Sequence, residues 1–235
     1  GTLLSTRPGA GFGAKGDGST NDTTAATHCL AAASSSGRNG VYWPAGTYII
    51  TSGLVVPDFM NVEGSGSGIT TIQPGTASMT LFATTNVSLS AGIVQYGSFT
   101  INAGAANITG ISAVLLRRLM LNCIEFAGCS FDFVADQITE GPKVFDCYSH
   151  SNTAHAAGRT VIKNTSVAKD GCGFAVLRNH RNDGGVVAAG YVGGFQGTPV
   201  IQLSDVDNCY ITDCIGFNLD AGSSNSTDYI QVVGL

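Results

Sequence analysis

A short motif recurs along this chain and restricts its fold more than any other feature: β-forming residues, then Asn or Asp, then a small residue. It reads Phe99-Thr100-Ile101-Asn102-Ala103, Leu119-Met120-Leu121-Asn122-Cys123, Lys143-Val144-Phe145-Asp146-Cys147, Val161-Ile162-Lys163-Asn164-Thr165 and Tyr210-Ile211-Thr212-Asp213-Cys214. The Asn or Asp positions 102, 122, 146, 164 and 213 are 20, 24, 18 and 49 residues apart, the last interval being close to two repeats. The period is too short for a propeller blade, and the leucines of leucine-rich repeats are missing. It predicts an all-β solenoid with one coil per repeat, each coil stacked on the previous one at about 4.8 Å. Asn or Asp at the bend would then form a ladder, and Cys123, Cys147 and Cys214 would share one column. The alternation of inward and outward residues differs between the copies, so the motif sets a period rather than a register.

A solenoid needs its exposed end covered, because unpaired strand edges template aggregation. The first forty residues supply a candidate. Asn21 or Asp22 is a helix N-cap, and Ala25, Ala26, Cys29, Leu30 and Ala33 follow at helical spacing, which predicts one short helix over about 22–33. Residues 1–40 are therefore read as a turn segment with a capping helix and 41–235 as coils, in one structural domain cut from a longer chain.

Composition narrows the partner. Charged residues are 11% of the 235, against about 25% in ordinary domains. The net charge of −5 offers no basic field for nucleic acid or anionic lipid. No run of 18 apolar residues predicts a membrane span, so neither nucleic acid nor membrane insertion is expected. The seven cysteines are odd in number and lack zinc-ligand spacing, so they are read as mostly reduced, buried small hydrophobes, with no metal and no cofactor. That state suits a chain folded in a reducing host cytoplasm.

Three blocks carry a family resemblance. Phe12-Gly13-Ala14-Lys15-Gly16-Asp17-Gly18 with Asn21-Asp22-Thr23, then Val41-Tyr42-Trp43-Pro44-Ala45-Gly46-Thr47-Tyr48, then Val62-Glu63-Gly64-Ser65-Gly66 with Thr70-Thr71-Ile72, resemble in that order the opening of the pectate-lyase-like (pectin lyase fold) superfamily. Within it, the chain is most like the N-terminal β-helix segments of bacteriophage tailspikes and depolymerases. The resemblance implies a right-handed, single-stranded parallel β-helix with an N-terminal capping helix. It further implies a homotrimer in the phage tail or outside the cell, beside other virion tail proteins, bound to the polysaccharide of a bacterial surface. These blocks are scaffold and carry no catalytic residues. The polygalacturonase signatures are absent from the sequence.

Fold does not decide chemistry here, so the site has to come from residues. Glycoside hydrolysis needs two carboxylates about 5–5.5 Å apart for retention or about 6.5–9.5 Å for inversion. If one coil lies unseen between 164 and 213, Asp183 and Asp207 become rung neighbours, with Asp205 two residues from Asp207. Arg178, His180, Arg181 and Tyr191 are the expected sugar contacts, and Tyr148, Phe195 and Tyr229 are further aromatics that could stack on sugar rings. Solvated turn residues would look the same in sequence. The readings left standing are a tailspike-type protein that binds and cleaves a surface glycan by hydrolysis or elimination, a non-enzymatic trimeric virion component, and a secreted glycanase or pectate-lyase-like enzyme.

Overall fold

The structure is a computed structural model that describes residues 2–3, 11–84, 86, 91–103, 107–150, 159–163, 165, 175–179, 181–183, 201–204, 209–217 and 230–233. The chain opens with β1 (Thr2–Leu3), β2 (Asp17–Asn21) and helix α1 (Thr23–Ser35). Two coils follow, β3 (Gly40–Trp43), β4 (Gly46–Ile50) and β5 (Leu54–Val55), then β6 (Asn61–Gly64), β7 (Thr70–Pro74) and β8 (Ser78–Ala83). In the next two, β9 (Ile93–Asn102) and β11 (Arg118–Ala127) run unbroken around a corner and lead to β10 (Asn107–Val114) and β12 (Phe131–Asp136). Beyond them lie β13 (Pro142–Phe145), β14 (Tyr148–His150) and β15 (Arg159–Lys163), then β16 (Ala175–Arg178), β17 (Arg181–Asp183) and β18 (Ile201–Ser204). The last coil is β19 (Cys209–Thr212), β20 (Ile215–Phe217) and β21 (Ile230–Val233).

All these strands pair in parallel with the coils above and below, making a parallel β-helix. Among the described residues a 14-stranded sheet bends to form two arms, and a 7-stranded sheet from β5 to β21 closes the coil. Alternation places one residue in two inside. Val41, Val62, Tyr96, Leu121, Val144 and Leu177 stand in register down the first arm, all buried. Tyr48, Ile72, Ile101, Phe126 and Ser149 do the same down the second. Each large apolar side chain in such a stack contributes about 1.5–3 kcal/mol.

From the third coil onward, the corner between the arms is a single left-handed residue: Ser98, Cys123, Asp146, Asn179 and Asp213, with φ between 52° and 60°. Asn and Asp tolerate this conformation better than most residues, which explains their presence there. The observed column corrects the sequence alignment. Asp146 and Asp213 do occupy the corner, but Asn122 pairs with Phe145, one residue short of it, and Asn102 pairs with Ala127 in the second arm. Asn164 lies outside the described residues, after a strand of the other sheet. The three cysteines do not form one column either: Cys123 is an exposed corner residue, whereas Cys147 and Cys214 follow their corners. Matching on the letters Asn and Asp mixed positions that only the backbone conformation separates.

Helix α1 forms at 23–35 and presents Ala26, Cys29, Leu30 and Ala33 to the core, packing on β1, β3 and β5. It thus covers the first strand of the 7-stranded sheet. Asp22 precedes it, but its carboxylate turns back to accept the amides of Lys15 (2.6 Å) and Gly16 (3.1 Å), while Asn21 Oδ1 takes the Thr23 amide (3.0 Å). The first motif block is therefore a loop tied to the start of the helix. In the third block Gly64 is obligatory, because a Cβ there would lie 2.4 Å from the Ser98 carbonyl oxygen on the next coil.

Candidate functional site

The outer face of the first arm carries two columns of outward residues. Asn61, Gln95, Met120, Lys143, Val176 and Tyr210 form one; Tyr42, Glu63, Gly97, Asn122, Phe145, Arg178 and Thr212 form the other. Between them lies a cavity of about 420 Å³, walled by the amides of Asn61, Gln95 and Asn122, the charged groups of Glu63, Asp146 and Arg178, and the apolar Met120 and Phe145. Glycine at 97 makes room for it, since a Cβ there would stand 2.9 Å from Glu63 Oε2. Along the corner, Asn179 Nδ2 donates to Asp146 Oδ1 at 2.7 Å and orients that carboxylate. Tyr42 and Tyr210, 36% and 63% exposed, flank the groove toward the two ends of the helix axis.

Around the corner, the second arm bears a different cluster. Glu125 accepts Ser67 Oγ and Thr100 Oγ1, each at 2.7 Å, and lies 2.8 Å from His150 Nε2. The Tyr148 ring stacks on His150 with centroids 4.9 Å apart. The His150 bond, helped by the two hydroxyls against the opposing effect of burial, holds the Glu125 carboxyl down at about 2. A carboxylate so stabilised stays ionised near neutral pH, which argues against a general-acid role there. Beside the groove, Arg117 and Arg118 both bond Glu140, and burial together with the Arg118 charge lowers the Lys143 ammonium.

Of the residues expected from sequence, Arg178 lines the groove. Arg181 and Asp183 lie in β17, in register with Tyr148 and His150 on one side and Ile215 and Phe217 on the other. The rung neighbours of Asp183 are thus His150 and Phe217 rather than Asp207, because the corner of this coil is Asn179 and Asp183 lies in the strand after it. His180, Tyr191, Asp205 and Asp207 lie outside the described residues, as do Phe195 and Tyr229. Sequence reasoning missed Glu63, Asn122, Glu125 and His150. Counting from the corner would have found part of them: Glu125, Tyr148, Arg181 and Ile215 each stand two residues after a left-handed residue.

Residues 10–214 match the family described as rhamnogalacturonase A/epimerase, pectate lyase-like. The chain belongs to this pectate lyase-like family. One characterised relative is alginate lyase 7 of Azotobacter vinelandii, 38% identical over 69 residues, which are 26% of this chain and 8% of that protein. Among solved structures, this pectate lyase-like chain is similar to PfbA, a surface adhesin of Streptococcus pneumoniae (TM-score 0.59, 12% identity, 92% of this chain and 62% of that one). It also resembles the pre-mature gene product 12 of bacteriophage phi29 (0.57, 18%, 92% and 33%). A third is Pantoea stewartii WceF, a glycan biofilm modifying enzyme with a bacteriophage tailspike-like parallel β-helix fold (0.53, 13%, 96% and 42%). The chain spans less than two thirds of the length of each, and at these identities the structural likenesses establish the fold.

Proposed function

We propose that this β-helix binds a bacterial surface polysaccharide along the outer face of its first arm, as the host-recognition part of a trimeric phage tailspike or tail-fibre protein. The observation that carries the reading is the groove itself. Planar amides and a guanidinium suit sugar hydroxyls, Met120 and Phe145 offer apolar contact to ring faces, and the groove follows the axis, as an extended polymer requires. The phage and biofilm-modifying neighbours support the choice of partner. Calorimetric titration with capsular or O-antigen polysaccharide of the host is expected to give saturable binding that Arg178→Ala and Phe145→Ala each weaken at least tenfold without changing the circular dichroism. Binding unchanged in both variants would remove the groove from the proposal.

Cleavage is a second reading. It is favoured by the register that pairs Asp183 of β17 with His150 of β14 in the second arm. In this reading Asp183, Asp205 and Asp207 supply the acid and base, and Arg181, His180 and Tyr191 hold the sugar. New reducing ends or unsaturated products, lost in Asp183→Asn, would support it; a polymer bound but never shortened would leave binding alone.

A further inference from the structure

Strand β12 contains a bulge. Phe131 and Phe133 pair with the consecutive residues Arg159 and Thr160 of β15, so Asp132 is an extra residue in that ladder. On the other side Gly110 stands opposite it, where a Cβ would lie 2.7 Å from the Asp132 carbonyl oxygen. Asp132 and Phe133 are both fully buried, at the level of the buried pairs Leu81-Phe82 and Gly110-Ile111 on the two preceding coils. A carboxyl so placed would ordinarily collect hydrogen bonds. Among the described residues, neither Asp132 oxygen has a hydrogen-bond partner of good geometry, the Ser149 hydroxyl on β14 giving it only partial support.

We propose that Asp132 is a proton-gated carboxyl built into the core, neutral in the folded coil, whose ionisation loosens β12 in its ladders with β10 and β15. Zero exposure rules out contact with a substrate, so the group acts on the fold and not in a reaction. Leaving an unpaired carboxylate in an apolar interior is far costlier than leaving a neutral acid there. Among the described residues, the titratable groups facing it are the Cys129 and Cys147 thiols and the His150 ring. Burial raises both thiols and keeps them neutral, Cys147 at about 12. Burial likewise pushes Asp132 up to about 7, with the Ser149 hydroxyl and the His150 charge pulling partly the other way.

The sign follows from linkage. A carboxyl raised in the folded state holds its proton there after the unfolded chain has lost it, so its contribution is complete below about pH 4 and lost as pH rises through about 7. In denaturant titrations across this range, Asp132→Asn should gain on wild type by on the order of a hundredfold or more in the folding equilibrium constant, then run parallel above it. Curves parallel throughout would overturn the proposal. Should the variant fail to fold, carbon-13 NMR of aspartate carboxyls in the wild-type protein decides the matter. One carboxyl titrating near neutrality is expected, and midpoints all below about 5 would overturn it.

Discussion

Two carboxyls on opposite sides of β14 illustrate how far surroundings govern an acidic residue. Glu125 lies on the outer face, where His150, Ser67 and Thr100 hold it ionised; Asp132 lies inside, where burial outweighs the pull of Ser149 and His150 and favours the neutral acid. Their effects on stability have opposite signs. The Glu125 contribution is present above about pH 4.5 and lost as pH falls toward 2, whereas the Asp132 contribution is lost as pH rises toward 7. Glu125→Gln should cost about 1–3 kcal/mol at pH 7, as expected for lost hydrogen bonds to a charged group. It should also flatten the acid limb of a plot of urea midpoint against pH. An unaltered acid limb would show that the cluster adds nothing to folding.

At the scale of elements, the corner and the cap carry different burdens. From the third coil onward the left-handed corner turns the chain with one residue, so strands on both arms stay in register from coil to coil, and outward columns can hold a continuous groove. Helix α1 covers the end that would otherwise offer unpaired edge groups. Its anchor is Leu30, 2% exposed. Leu30→Ala should lower stability by about 2–4 kcal/mol through the cavity it leaves, read as a fall in the thermal midpoint. Groove affinity at 25 °C should stay unchanged, since α1 packs on β1, β3 and β5 and no helix residue lines the groove. Loss of affinity in a folded variant would mean that the cap shapes the binding face.

For the whole molecule, stacking turns sequence distance into axial distance. Tyr42 and Tyr210 are six rungs apart on the outer face, about 29 Å at the spacing of paired strands. If a glycan lies along the groove, affinity should rise with oligosaccharide length up to that span and then level off. Tyr42→Ala and Tyr210→Ala should weaken long oligosaccharides severalfold and short ones hardly at all in a calorimetric length series. Equal losses for every length would place the ligand across the axis.

The sequence by itself determined the solenoid, the capping helix and the scaffold blocks. These rest on local rules, namely helical spacing at Ala26, Cys29, Leu30 and Ala33 and turn residues at the bends. Arg178, one of the residues expected to contact sugar, lines the groove. Register was decided only by the tertiary structure. Coils of unequal length mean that the partner of His150 is Asp183, thirty-three residues on, while the partner of Ala127 is His150, twenty-three residues on. A shift of one position reverses inside and outside, so a period read from letters could not tell the corner Cys123 from the groove residue Asn122 beside it. The bulge at Asp132 is the sharpest case. Strict alternation with Phe133 would set that residue outside, yet it is buried, as are its counterparts Leu81 and Gly110 on the two preceding coils.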